Sequence, residues 1–130
     1  MIGIDTTGLI DLFRNDKNIL KLLEETEEEI ILNIITYLEL MLGLDFRNLK
    51  HKNEESFYDN LYNQYNVLKL DYKSSKKNSE INRELKNKGK IIDPFDMTIA
   101  AIYLTNGINK IITRNVKHFE NIKDIEVIKY

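Results

Sequence analysis

A chain of 130 residues is long enough for one domain with a real core, and 42% apolar with 31% charged residues is the composition of a globular protein in water. The absence of cysteine excludes disulfides and thiolate metal sites, and two histidines are too few for a three-histidine zinc centre, though a mixed site stays open. The net charge of −2 carries no overall nucleic-acid signal, and no apolar run reaches the roughly 18–20 residues of a membrane span.

The N-terminus runs straight into a strand-like segment, Met1–Asp5, without the basic-then-apolar layout of a signal peptide, so a cytoplasmic protein with no membrane segment is expected. Thr7–Arg14 is helix-like, and Lys17–Glu28 sets Ile19, Leu20, Leu22 and Leu23 on one side of an amphipathic helix. Glu29–Asn33 is a second buried strand. Thr36–Phe46 is a strongly apolar helix, and a further helix around Ser56–Tyr65 carries an aromatic stripe of Phe57, Tyr58, Leu61, Tyr62 and Tyr65. Val67–Leu70 is a short strand. Tyr72–Lys88 is a polar helix anchored by Ile81 and Leu85 and capped by Gly89. The basic stretch Lys73–Lys90 is the only shift in composition, and a solvated helix face accounts for it. Pro94–Thr105 is helical and closed by Asn106-Gly107; Lys110–Thr113 and Glu126–Tyr130 are the last strands. Strands alternating with helices predict one domain, residues 1–130, with a central parallel sheet covered on both faces.

Three acidic residues stand out. Asp5, Glu39 and Asp96 each follow an apolar, strand-like run and open a helix-like one. In an open α/β sheet the carboxyl ends of the strands share one crevice, where ligands bind. Three carboxylates gathered there repel one another, and a hard cation with oxygen ligands, Mg²⁺ or Mn²⁺, is a natural way to hold them.

Each has a competing explanation. Asp5 could be a helix N-cap. Thr36-Tyr37-Leu38-Glu39 matches a capping box, in which Glu39 would reach back to the cap residue's amide. Asp93 precedes Pro94, a residue suited to the first helical position, so Asp93 is best read as the N-cap, with an accessory place beside the metal as the alternative. Asp96 then lies in the first turn, where the helix dipole favours a carboxylate. Asn115, after the strand Lys110–Ile112, can lend a carbonyl oxygen to a metal or its water, but an ordinary turn residue is the simpler reading. His118 is read as a surface residue beside a core anchor, Phe119.

The chain resembles the PIN-domain ribonucleases, most closely the VapC toxins of toxin–antitoxin pairs, over nearly its full length. The resemblance rests on four motifs in order: Ile4-Asp5-Thr6-Thr7-Gly8-Leu9-Ile10; Ile35-Thr36-Tyr37-Leu38-Glu39-Leu40-Met41-Leu42-Gly43; Asp93-Pro94-Phe95-Asp96-Met97-Thr98-Ile99-Ala100-Ala101; and Ile112-Thr113-Arg114-Asn115-Val116-Lys117-His118-Phe119. It implies a three-layer α/β/α domain and metal-dependent endoribonuclease activity that leaves a 5′-phosphate and a 3′-hydroxyl. By motif position it assigns Asp5, Glu39 and Asp96 to the acidic site binding Mg²⁺ or Mn²⁺, Thr7 to the hydroxyl place beside the first acid, and Asn115 to a fourth place that is often Asp in the wider family. It also implies an RNA substrate, a protein antitoxin and a homodimer. Part of the aromatic helix, with the helix at Leu38–Phe46, is the expected partner surface, against the competing reading that most of the stripe packs inside. Arg14, Arg47, Arg114 and Lys117 are candidates for phosphate contacts.

Other readings compete with this one. A haloacid-dehalogenase-like phosphotransferase needs a second Asp two residues after the first, where this chain has Thr7, and no segment offers the phosphorylated Asp of a receiver domain. A stand-alone RNA-processing nuclease and a non-catalytic domain of the same fold stay open, although the intact Asp5, Glu39 and Asp96 argue against the latter.

Overall fold

The computed structural model describes all residues, 1–130. The elements run β1 (Ile2–Ile4), α1 (Thr6–Phe13), α2 (Lys17–Glu25), β2 (Ile30–Asn33), α3 (Ile34–Leu42), α4 (Leu49–Gln64), β3 (Asn66–Leu68), α5 (Tyr72–Asn87), α6 (Pro94–Thr105), β4 (Lys110–Ile112), α7 (Val116–Phe119) and β5 (Glu126–Ile128). The five strands form one parallel sheet in the order β3-β2-β1-β4-β5.

The alternation of side chains along the strands builds two cores, one on each face. Ile31 and Ile111 point to a core shared with Ile81, Leu85, Ile99, Ala100, Ile102, Tyr103 and Phe119. Ile2, Ile4, Leu32 and Ile112 point to the other, with Leu9, Ile19, Leu40 and Tyr58. Helices therefore cover both faces, giving the expected three-layer α/β/α domain around a parallel sheet.

Two local devices fix the end of β1. A side chain at Gly3 would meet the Tyr103 ring at 2.6 Å, so only glycine lets α6 lie this close to the sheet. Tyr103, fully buried, then inserts its hydroxyl between β1 and β2. It accepts from Ile4 N (3.2 Å) and has Ile4 O (2.8 Å) and Ile31 O (3.0 Å) as acceptors for its single proton. Ile4 is the residue before Asp5.

Several boundaries differ from expectation for identifiable reasons. α3 starts at Ile34 because the buried Asn33 caps it, accepting from Ile35 N at 2.9 Å. Thr36 is thus inside the helix and donates back to Asn33 O (2.6 Å), so the Thr36–Glu39 capping box does not form. α4 begins at Leu49, capped by Asn48; its first two turns are polar and lack the apolar period that marks a helix. α2 ends at Glu25, and the short α7 was not foreseen. No strand forms at Lys90–Ile92, so Asp96 enters its helix from a loop. Gly89 does end α5, at φ +67°, with Lys90 N bonded to Leu85 O and Gly89 N to Lys86 O, the paired bonds of a Schellman cap.

The aromatic stripe of α4 mostly faces inward, as the competing reading of its apolar spacing has it. Tyr58 is fully buried, Phe57, Leu61 and Tyr62 pack against the same core, and only Tyr65 is exposed. The open apolar surface lies instead on and after α3, at Leu38, Leu42, Phe46 and Leu49. No helix is long and apolar enough to cross a membrane.

Candidate active site

The strand order reverses direction between β1 and β4: from β1 the chain proceeds outward to β2 and β3, then crosses back to β4 and β5. The crevice beyond the carboxyl ends of β1 and β4 is the topological switch point, the usual ligand site of such sheets. Asp5 directly follows β1 and Thr113 directly follows β4, which places both at that end of the sheet.

Asp5 is the most enclosed of the three acids, 2% exposed. Its Oδ1 accepts from Thr7 Oγ1 (2.7 Å) and Gly8 N (3.1 Å), and its Oδ2 accepts from Thr113 Oγ1 (2.6 Å). It therefore does cap α1, and it also lines the crevice. Burial raises its carboxyl above the usual range; the three hydrogen bonds oppose this, and the charge of Asp96 adds to it.

Glu39 does not sit at a strand end. It lies in the second turn of α3, half-buried, and its Oε1 accepts from Thr6 Oγ1 at 2.6 Å. Burial raises its carboxyl most, Thr6 opposes, and the charges of Asp96, Asp93 and Asp5 all push it up. Asp96, 8% exposed, is in the first turn of α6 as expected. Burial again raises it, the His118 hydrogen bond and charge oppose, and Asp93 adds to the rise. Like charge thus acts on each acid: Asp96 on Asp5, Asp96, Asp93 and Asp5 on Glu39, and Asp93 on Asp96.

The accessory positions divide. Thr7 is a relay: it donates to Asp5 and accepts from Arg114 N (3.0 Å), tying the β4 end to the β1 end. Asp93 is the N-cap of α6, accepting from Phe95 N at 2.8 Å, and is exposed. Asn115 makes no side-chain cap bond; its backbone N donates to Thr113 Oγ1 (2.9 Å), which places it one link from Asp5.

Two residues belong here that sequence reasoning left out. His118, expected on the surface, has Nδ1 2.6 Å from Asp96 Oδ2. Against an ionised Asp96, Nδ1 carries the proton of this bond. The spacing of three from Asn115 to His118, one helical turn, was the available signal, hidden because α7 is only four residues long. Thr113 is fully buried and bonded to Asp5; a hydroxyl at a strand end beside a carboxylate was the clue. Of the basic candidates, Arg114 is held by the buried Asp11 (3.0 Å), which Tyr130 also bonds (2.6 Å), and Arg47 is forked onto Asp45.

Carboxylate and hydroxyl oxygens suit a hard divalent cation, and His118 stands behind Asp96 as its hydrogen-bond partner. The fit is one of chemistry: as the side chains stand, no three His, Asp or Glu groups converge closely enough to hold an ion. Both carboxylate oxygens of Asp5 accept hydrogen bonds, whereas Glu39 and Asp96 each keep one carboxylate oxygen that accepts none.

A model of the PIN domain matches residues 2–125. Ribonuclease VapC1 of Methanocaldococcus jannaschii is 32% identical over 124 residues, which cover 95% of this chain and 82% of that protein. Among solved structures, VapBC-1 from nontypeable Haemophilus influenzae superposes with a TM-score of 0.81 at 28% identity, over 99% of this chain and 98% of that one. VapBC2 from Rickettsia felis, bound to a fragment of its promoter DNA, superposes with a TM-score of 0.85 at 22% identity, over 100% and 99%. With the motifs and the three-layer fold, these matches show that the chain belongs to the PIN-domain family.

Proposed function

We infer that the protein is a metal-dependent endoribonuclease, with Asp5, Glu39 and Asp96 holding Mg²⁺ or Mn²⁺, and that it is the toxin of a toxin–antitoxin pair acting in the cytoplasm. The observation that carries this reading is where the hydrogen bonds place the three acids in a PIN-family sheet: Thr113 after β4 holds Asp5, Thr6 beside Asp5 holds Glu39, and His118 of α7 holds Asp96. Similarity to Ribonuclease VapC1 supports RNA as the substrate. Similarity to VapBC-1 supports a protein antitoxin as partner.

When bound, the cation supplies Lewis acidity toward the phosphate and lowers the pKa of water. The chain's residues do the rest. Thr7, Gly8 and Thr113 hold Asp5 in one orientation, Thr6 orients Glu39, and His118 orients Asp96, so the acids are positioned by neighbours instead of by the ligand alone. The hydrolysis adds a water oxygen to phosphorus and releases the 3′ oxygen with a proton. No side chain becomes covalently attached. The exposed apolar surface of Leu38, Leu42, Phe46 and Leu49 is the place for a second copy or the antitoxin.

The test is cleavage of single-stranded RNA by the purified protein. Cleavage that stops with EDTA and returns with excess Mg²⁺ or Mn²⁺ is expected, with 5′-phosphate ends. Cleavage indifferent to EDTA would contradict the metal assignment, and no cleavage under any metal would contradict the nuclease reading.

A further inference from the structure

An acidic crevice repels the phosphates it has to receive, so a nuclease built this way needs positive charge beside the crevice. The chain concentrates it in one place. Residues 73–90 contain seven Lys or Arg and two Glu, a local charge of +5 in a protein of net −2. We propose that the outer face of α5 is a rail for the backbone of single-stranded RNA that leads into the crevice; this rests on the nuclease reading above.

The packing of α5 sets which side chains form the rail. Ser74, Ile81 and Leu85 are buried, the last two in the core shared with α6. Lys76, Ser79, Arg83 and Lys86 follow one another at three- and four-residue steps, so they form a row along another side of the helix, and all four are exposed. Arg83 Nη1 donates to Ser79 Oγ at 2.8 Å, which lays the guanidinium along the row. Lys76, Arg83 and Lys86 are in no ion pair, whereas Lys77, off the row, is paired with Glu80 at 3.5 Å. Ten residues of helix make a row of about 15 Å, long enough to follow more than one phosphate.

The C-terminal end of the row adjoins the segment that leads to the site. The Gly89 turn brings the chain from α5 to Asp93 and Asp96 at the start of α6. Beside that turn Lys86 and Lys90 flank a groove of about 170 Å³ lined by Leu85, Ile91, Ile92 and Met97, the neighbour of Asp96. Ile91 is 96% exposed. Positive charge bordering an apolar groove suits a nucleotide, whose phosphate and base face need one of each. The lead of the row toward an acidic crevice read as a nuclease site favours RNA over an acidic peptide as its occupant.

The test is RNA binding without cleavage. Asp96→Asn protein in EDTA is titrated against a fluorescein-labelled 12-nucleotide single-stranded RNA, by anisotropy, across a range of KCl concentrations. Adding Lys76→Ala, Arg83→Ala and Lys86→Ala together removes three phosphate contacts. The slope of log K against log salt should shrink by about 2, and binding at 0.1 M salt should weaken roughly 100-fold. Removing three exposed lysines elsewhere, Lys17, Lys50 and Lys52, should leave the slope nearly as it was. Equal losses in the two triple variants would overturn the rail, since net charge alone would then explain binding. So would an unchanged slope in the α5 variant, or loss of polyglutamate binding with RNA binding intact, which would assign the row to an acidic protein. If the triple variant does not fold, Arg83→Ala alone should still reduce the slope by about 0.7. Binding is read without metal or turnover, so a protein that binds RNA along α5 but never cleaves it refutes the nuclease reading and not the rail.

Discussion

Replacing Tyr103 with Phe removes one oxygen from the centre of the molecule. That hydroxyl is fully buried and bridges Ile4 N to the carbonyls of Ile4 and Ile31 at 2.8–3.2 Å. Phe keeps the ring against Gly3 but leaves a buried amide and a buried carbonyl without this partner. Orphaned groups of this kind cost about 2 kcal/mol together. A domain of 130 residues unfolds with an entropy of about 0.27 kcal/mol per degree, so the thermal midpoint should fall by about 7 °C. Circular dichroism melting of the two proteins in EDTA measures this. Because Ile4 carries Asp5, the variant should also lose some cleavage activity at temperatures where it is fully folded. A midpoint within about 1 °C of the parent would refute the reasoning, since β1 and β2 would then pair well without the bridge.

Asp96→Asn should abolish RNA cleavage and, in EDTA at neutral pH, raise the thermal midpoint. The sign follows from the raised carboxyl of Asp96: burial, the largest cause, and Asp93 make the folded state hold its proton more tightly than the unfolded chain does. The stability this contributes is present in acid, below the unfolded carboxylate's pKa, and is lost as pH rises through the folded value. The gain from Asp96→Asn should therefore grow from about pH 4 to pH 7, and a flat difference would contradict it. Asp93→Ser should keep most activity, since Ser replaces the cap to Phe95 N; activity as low as that of Asp96→Asn would move Asp93 into the metal site. Sedimentation should show a dimer that Leu42→Lys, at a position 67% exposed on α3, converts to monomer; a parent protein that is monomeric at high micromolar concentration would contradict this.

Much of this was legible in the sequence because the period of apolar residues changes with the element. Pro94–Thr105 matches α6 residue for residue, since Asp93-Pro94 marks its start and Asn106-Gly107 its end. The start of α3 was misread because Asn33 does two jobs: it ends a strand and caps the next helix without a loop. Thr36, which imitates a cap, is then an interior residue. The acids themselves could be picked out, but not what holds them. Thr6, Thr113 and His118 each meet a carboxylate from 22 to 108 residues away, and such pairings depend on the crossover order of the strands. The aromatic stripe shows the opposite limit: apolar spacing along α4 gives the side of the helix but not whether a neighbouring chain or the domain's own core covers it.

The central claim is that Asp5, Glu39 and Asp96 share one cation, and crystals soaked in Mn²⁺ test it most directly through anomalous scattering. The account predicts a peak at the carboxyl end of β1, with Glu39 and Asp96 turned toward Asp5 and, with Mg²⁺ in its place, carboxylate oxygens at about 2.0–2.1 Å. A peak elsewhere, or one from which any of the three carboxylates points away, would contradict it.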